Sequence, residues 1–307
     1  MFEFLALTPE ACRDWFAAVA RSLAGGVVAA SFSSRLPPRT DKSIAEIHVS
    51  GLLMKNPSDF HRRLGATSTT DIGNEFDDAL ADPNVHAIVL HVDSPGGTVD
   101  GAHALAEHIL NSRDRGKQIH AHVSGMGASA AYWVASSAHK VYAATPSTHI
   151  GSIGVLQQHF DHSAALNAAG IKATELTSGP YKGVGSPNLP LSDSHRAEMQ
   201  RRVDAIHGQF VAHVAKARGL SGEALKKVTD GRTFLGHDAV AHGLADGVEP
   251  FDKTVNRLNR LEHPEHLAVA PQLDVAARAR VWAIAEEKRT GRHVTALESV
   301  NHILGVS

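Results

Sequence analysis

From residue 44 onward the spacing of apolar positions switches repeatedly between two periods. Short β-branched runs alternate with longer stretches in which apolar residues recur every three or four positions. The pattern predicts strands at Ile44–Val49, Val85–Val92, Gln118–Val123 and Val141–Ala143, with helices at Thr70–Leu80, Val99–Leu110 and Ala128–Ala138. Ile153–Phe160 and Lys172–Leu176 are further strand candidates on either side of a helix at Ser163–Ala169. Such alternation implies βαβ units, parallel pairing and right-handed crossovers, hence an α/β fold. The apolar run Ala87-Ile88-Val89-Leu90 suits a strand covered on both faces. Ser178–Pro190 carries three glycines and three prolines and reads as a long loop of the kind that is often functional. Ser192–Arg218 follows as one long helix, with Asp193 near its start and Gly219 beyond its end.

The two ends read differently. Residues 1–32 predict a leading helix, closed by the polar break Ser33–Thr40 with its Pro37-Pro38 pair. A second break at Glu262–Gln272 precedes predicted helices at Val275–Arg289 and Val294–Leu304.

Composition narrows the function classes. With 307 residues, 43% hydrophobic and 20% charged, the chain is globular, and by surface scaling it buries roughly three quarters of its unfolded surface. A net charge of −2 supplies no basic field for nucleic acid. The single cysteine, Cys12, excludes a disulfide-built scaffold. The apolar run Leu23–Phe32 is too short to span a bilayer, and no Lys or Arg precedes Arg13 as a signal peptide would require. The expectation is a cytoplasmic protein with no integral membrane segment. The 21 histidines raise the question of metal, but there is no His-Glu-x-x-His, and pairs such as His120/His122, His159/His162 and His263/His266 fall on different predicted elements. No metal site and no cofactor are expected.

Three glycine-rich segments sit at strand ends. Asp93-Ser94-Pro95-Gly96-Gly97 follows a strand, where paired glycines either point backbone N–H groups into a cleft or simply make a βα turn. Gly127-x-Ser129-x-Ala131 is close to a Gly-x-Ser-x-Gly nucleophile elbow, and Ser129 is otherwise a helix N-cap. Ser178–Pro187 places Lys182 among glycines and prolines. A serine hydroxyl needs a base, and a lysine serves only when an apolar cleft lowers its affinity for the proton. Between them lies Gly151-Ser152-Ile153-Gly154, whose Ser152 hydroxyl is placed to steady such a lysine.

Taken together, Asp-Ser-Pro-Gly-Gly, Gly-Ala-Ser-Ala-Ala-Tyr-Trp, Gly-Ser-Ile-Gly-Val and Ser-Gly-x-Tyr-Lys-x-x-Gly-Ser-Pro resemble the S49 peptidase family, which includes signal peptide peptidase A and the prohead proteases of tailed phages. Asp230–Phe234 and Ala241–Gly247 are similar to its closing segment. The resemblance covers roughly residues 43–250, leaving a helical arm and linker over 1–42 and a helical extension over 251–307. It implies a Clp-protease/crotonase-like βαβ spiral and a Ser-Lys dyad, with Ser129 as nucleophile, Lys182 as base and Ser152 holding the lysine. Gly96, Gly97 and the Ala130 N–H fall on the oxyanion hole. Ala130-Ala131 departs from the family's Gly-Gly, and His149 stands near Ser152 as a rival or auxiliary base. The implied partners are protein or peptide substrates, capsid and scaffold proteins first, and further copies of the chain in a ring. A soluble signal-peptide-peptidase-like protease that degrades peptides, a crotonase-like acyl-CoA enzyme and an inactive capsid component are the alternatives.

Overall fold

The computed structural model describes residues 5–7, 13, 17 and 44–262. The chain divides into two units, Met1–Asn256 and Arg257–Ser307. Of the second, only the end of one helix is described, so the predicted helices at 275–289 and 294–304 lie outside the described residues.

The first unit is built on a nine-stranded sheet. Leu5–Leu7 form β1, a strand inside the stretch expected to be a leading helix. The main path runs β3 (Ala66–Ser68), β2 (Ile44–Met54), β4 (Ala87–Thr98), β5 (Gln118–Ala128), β6 (Lys140–Ala143) and β9 (Gly247–Val248), with every neighbouring pair parallel. The α/β expectation therefore holds. Beyond that path, β7 (His149–Gly151) extends along the end of β5, and β8 (Thr233–Leu235) pairs antiparallel with β7.

Helices α1 (Asp59–Arg63), α2 (Thr69–Ala81), α3 (Val99–Asn111) and α4 (Ala130–Ser136) come between the early strands. Later come α5 (Ser163–Ala168), α6 (Asp193–Arg218), α7 (Gly222–Lys226), α8 (Gly236–Ala241) and α9 (Phe251–Glu262). Sequence signals explain several ends. Ser68 caps α2 by accepting the Asp71 N–H, Ser192 caps α6 by accepting that of His195, and Gly219 ends α6 at φ 67°.

One face of the central strands supplies the core. Ile47, Val49, Ile88, Leu90, Val92, Ile119, Ala121 and Val123 pack with Ile72 and Phe76 of α2 and Leu105, Ala106 and Ile109 of α3. The alternate positions on these strands carry His48, His91, His120 and His122 instead.

Two predicted strands do not form. Residues 152–160 hold no strand beyond one bridge position, and 172–176 hold none. The edge that residues 153–160 would need, along the end of β5, is taken by β7, with β8 closing β7 on its other side. Ile153 is buried without joining a ladder, whereas Ile171 and Leu176 are exposed.

Candidate active site

Strand β5 turns into α4 at Ser129, which takes φ 54°, ψ −122°. A non-glycine residue reaches that region only where its surroundings over-determine it. Its N–H donates to the Gly151 carbonyl at 2.7 Å, and its own carbonyl accepts the Trp133 N–H at 2.9 Å. The approach is crowded: a Cβ at Gly127 would come within 3.0 Å of both Val123 methyls.

Below the turn, every residue of α4 is buried. Trp133 stacks on Phe210 with ring centroids 4.3 Å apart, and the Tyr132 hydroxyl donates to the Leu244 carbonyl at 2.8 Å. Burial pushes that phenol well above its ordinary pKa. At the far end, Arg113 donates to the carbonyls of Ser136, Ser137 and Ala138, which the helix itself leaves unpaired. The helix is thus fixed at both ends and on all sides.

Ser129 occupies the N-cap position yet makes no capping hydrogen bond, and its buried Oγ has no hydrogen-bond partner. The plain N-cap reading is therefore wrong, because a capping hydroxyl accepts an N–H from the first turn. Ser152 is 4% exposed at φ 52°, and its N–H donates to the Arg232 carbonyl at 2.8 Å. Among the described residues, Ser129 and Ser152 are the two non-glycine positions with positive φ. Gly151 joins them, bonding Ser129 through its carbonyl and preceding Ser152 in the chain. Ala130, the first residue of α4, adds an N–H that the helix does not use.

The Gly96-Gly97 segment lies abreast of this elbow, with Ser94 in register with Gly127. Ser94 Oγ donates to the Gly51 carbonyl at 2.6 Å and accepts the Gly96 N–H at 3.1 Å. A Cβ at Gly97 would lie 1.8 Å from the Leu53 carbonyl oxygen, so only glycine fits. Asp93 Oδ1 accepts the Met126 N–H at 3.1 Å and ties the middle of β4 to the part of β5 just before Ser129. Asp93 and Ser94 lie in the same sequence run as the two glycines, but their bonds to Met126 and Gly51 depend on strand pairing that the run does not display.

Past the bulge at Val92/Ser94, one edge of β4 pairs Gly96 and Gly97 with Leu52 and Leu53. The other edge, which lower down carries β5, pairs antiparallel with β1: Leu7 opposite Gly96, Ala6 opposite Gly97 and Leu5 opposite Thr98. The chain's own backbone thus takes the lane along this edge of the Gly-Gly segment.

Lys182 is not brought to this cluster. It is exposed, in a loop of successive turns in which its N–H donates to the Gly179 carbonyl at 3.1 Å. The loop leans on α6 through His195 Nε2 and the Pro180 carbonyl, 2.9 Å apart. Since Ser129 Oγ has no partner, neither Lys182 nor His149 bonds it within this chain. His149 is exposed on β7, 3.5 Å from Thr233 Oγ1.

The model of peptidase family S49 matches residues 111–264, half of the chain. The chain belongs to peptidase family S49. The matched stretch contains Ser129, Ser152 and Lys182 and begins after Gly96-Gly97. This S49 chain is 30% identical over 230 residues to protease 4 of Salmonella typhi, covering 75% of the chain and 36% of that protein. It is 34% identical over 203 residues to capsid assembly protease C of Escherichia phage lambda, covering 66% and 46%. It is 33% identical over 208 residues to the head-tail preconnector protein of Enterobacteria phage P21, covering 68% and 41%. The S49 chain therefore spans less than half the length of these relatives. Among its described residues, no helix is long and apolar enough to cross a membrane.

Proposed function

We propose that this S49 chain is a serine endopeptidase in which Ser129 attacks the scissile carbonyl and Lys182 takes and returns the proton, with Ser152 holding the lysine. The observation that carries this reading is the Ser129 hydroxyl: buried, unpartnered and set on a strained turn beside a second strained serine. Strain of this kind persists where the fold over-determines it, and it gathers at reactive sites.

In acylation the Ser129 Oγ–C bond forms as its proton passes to the lysine amine, and the carbonyl oxygen becomes an oxyanion. The N–H groups of Gly97 and Ala130 stabilise that oxyanion, since the Gly96 N–H is engaged by Ser94. The lysine then protonates the leaving amine, and water releases the acyl group by the reverse transfers. Because Lys182 is exposed and does not bond Ser129 within this chain, it acts from a neighbouring copy of the chain in a homo-oligomeric ring. The peptide substrate lies antiparallel along Gly96–Thr98, the lane that Leu5–Leu7 takes in this chain. The parallel sheet ending in a Gly-Gly segment beside the elbow supports the Clp-protease-like version of the α/β fold.

The substrates we favour are capsid and scaffold proteins cleaved during phage head maturation, following the names of the phage lambda and P21 relatives. The Salmonella protease 4 match favours a second reading, general peptide degradation. Membership of a peptidase family removes the support for an acyl-CoA enzyme.

Co-expression of the chain, or of Ser129→Ala, with candidate capsid and scaffold proteins tests the proposal. Terminal trimming by the active chain alone supports head maturation. Turnover of unrelated peptides without such trimming favours the second reading. No cleavage and no labelling of Ser129 by a serine-directed phosphonate would leave a silent capsid component.

A further inference from the structure

Three of the histidines scattered over the sequence come together in space. Parallel register sets His48 of β2, His91 of β4 and His122 of β5 side by side. Glu46, two residues before His48, shares their face of the sheet. Its Oε1 lies 2.7 Å from His91 Nδ1 and 3.6 Å from His48 Nε2, and the three donor atoms all fall within 4.8 Å of one another. Their side chains are only 10% (Glu46), 19% (His91) and 23% (His48) exposed.

Hydrogen bonding explains part of this cluster. The 2.7 Å contact is a bond from His91 to Glu46. His48 Nε2, however, is buried with no hydrogen-bond partner, and 3.6 Å from Glu46 is too far for one. Two ligands on one tetrahedral zinc, with bonds of about 2.0–2.2 Å, stand roughly 3.3 Å apart, so the spacing suits co-ligands. The rings are also held in place. His48 stacks on His91 at 5.3 Å, His91 stacks on Phe251 at 5.0 Å, and His122 donates from Nε2 to the Glu249 carbonyl while its ring meets Phe251 edge-on. Preset rings reduce the ordering that metal binding requires.

We propose that Glu46 Oε1, His48 Nε2 and His91 Nδ1 form a binding site for a divalent zinc ion, with water as the fourth ligand. Binding takes the His91 tautomer with its proton on Nε2, which leaves the Nδ1 lone pair for the ion, and opens the His91–Glu46 contact to ligand spacing. The ion then cross-links β2 to β4 just before the Asp93–Gly97 segment. It takes no part in peptide cleavage. In the sequence the histidines fall on different elements, which argues against a metal site, and parallel register removes that objection.

The test is zinc content per chain after dialysis, with zinc titration followed by calorimetry, on the full chain. Wild type and the exposed-residue control His162→Ala should each retain one zinc per chain through this site. His48→Ala/His91→Ala should lose it, with affinity down at least ~100-fold, and Glu46→Gln should weaken it ~10-fold or more with an unchanged circular dichroism spectrum. No zinc on wild type, or equal retention by the double variant, overturns the site. Phosphonate labelling of Ser129 should be the same with and without zinc, which separates this result from the peptidase proposal.

Discussion

The elbow around Ser129 and the loop around Lys182 carry the two halves of one proposed reaction, and the fold treats them in opposite ways. The elbow is buried and clamped by four separate parts of the chain: Gly151, the Arg113 guanidinium, the Phe210 ring and the Asp93 carboxylate. The lysine loop leaves Lys182 exposed, is built of successive turns, and is tied to the rest of the chain by backbone and polar contacts at Pro180, Ser186 and Pro187. A strained nucleophile needs contacts that over-determine its backbone. A base needs only to arrive at the right distance, so a loop or a neighbouring copy can supply it.

The largest effect that could break this comparison concerns activity. Ser129→Ala should reduce peptide hydrolysis by about ten-thousand-fold or more, and Lys182→Ala by about a hundred- to ten-thousand-fold. His149→Ala should retain most activity. Mixing the two inactive variants, Ser129→Ala and Lys182→Ala, should restore a measurable fraction of wild-type turnover, because some neighbours then pair an intact serine with an intact lysine. No recovery on mixing would put the base in the same chain. A dead His149→Ala beside an active Lys182→Ala would transfer the role to the histidine.

The same contrast explains what could be read from the sequence. Gly127-x-Ser129 between a strand pattern and a helix pattern is a local signal, and a strand-to-helix turn lies at Ser129. The strain at Ser129 follows from a strand becoming a helix within one residue. The positions of Ser152 and Asp93 relative to Ser129 depend instead on which strands pair. The same is true of β1: Leu5-Ala6-Leu7 has no strand signature of its own, and only the open edge of β4 makes it one. Apolar content misleads for the same reason at Ile153–Phe160, which makes one bridge and joins no ladder. The alignment of His48 with His91 is likewise set by register between strands some forty residues apart.

A smaller effect probes the lane beside the elbow. Ala6→Pro removes a backbone N–H from β1 and disfavours its pairing opposite Gly97. If Leu5–Leu7 competes with substrate for Gly96–Thr98, this change should raise kcat/KM for peptides by about two- to tenfold, mainly through KM. An unchanged KM would mean that substrate lies elsewhere, and the strand-addition part of the proposal would fall.

The smallest expected effect is the most specific to the elbow. Ser129→Gly relieves the positive φ, whereas Ser129→Ala keeps it, and both remove the hydroxyl. Glycine gains entropy in the unfolded chain, which offsets part of the relief. A net gain of up to ~1 kcal/mol of glycine over alanine in denaturant unfolding is the expected outcome, with both variants inactive. Lys182→Gly and Lys182→Ala should show no such gain, since φ at Lys182 is not positive. Equal stability of Ser129→Gly and Ser129→Ala would mean that the turn stores little strain, and Ser129 would then owe its placement to packing and hydrogen bonding alone.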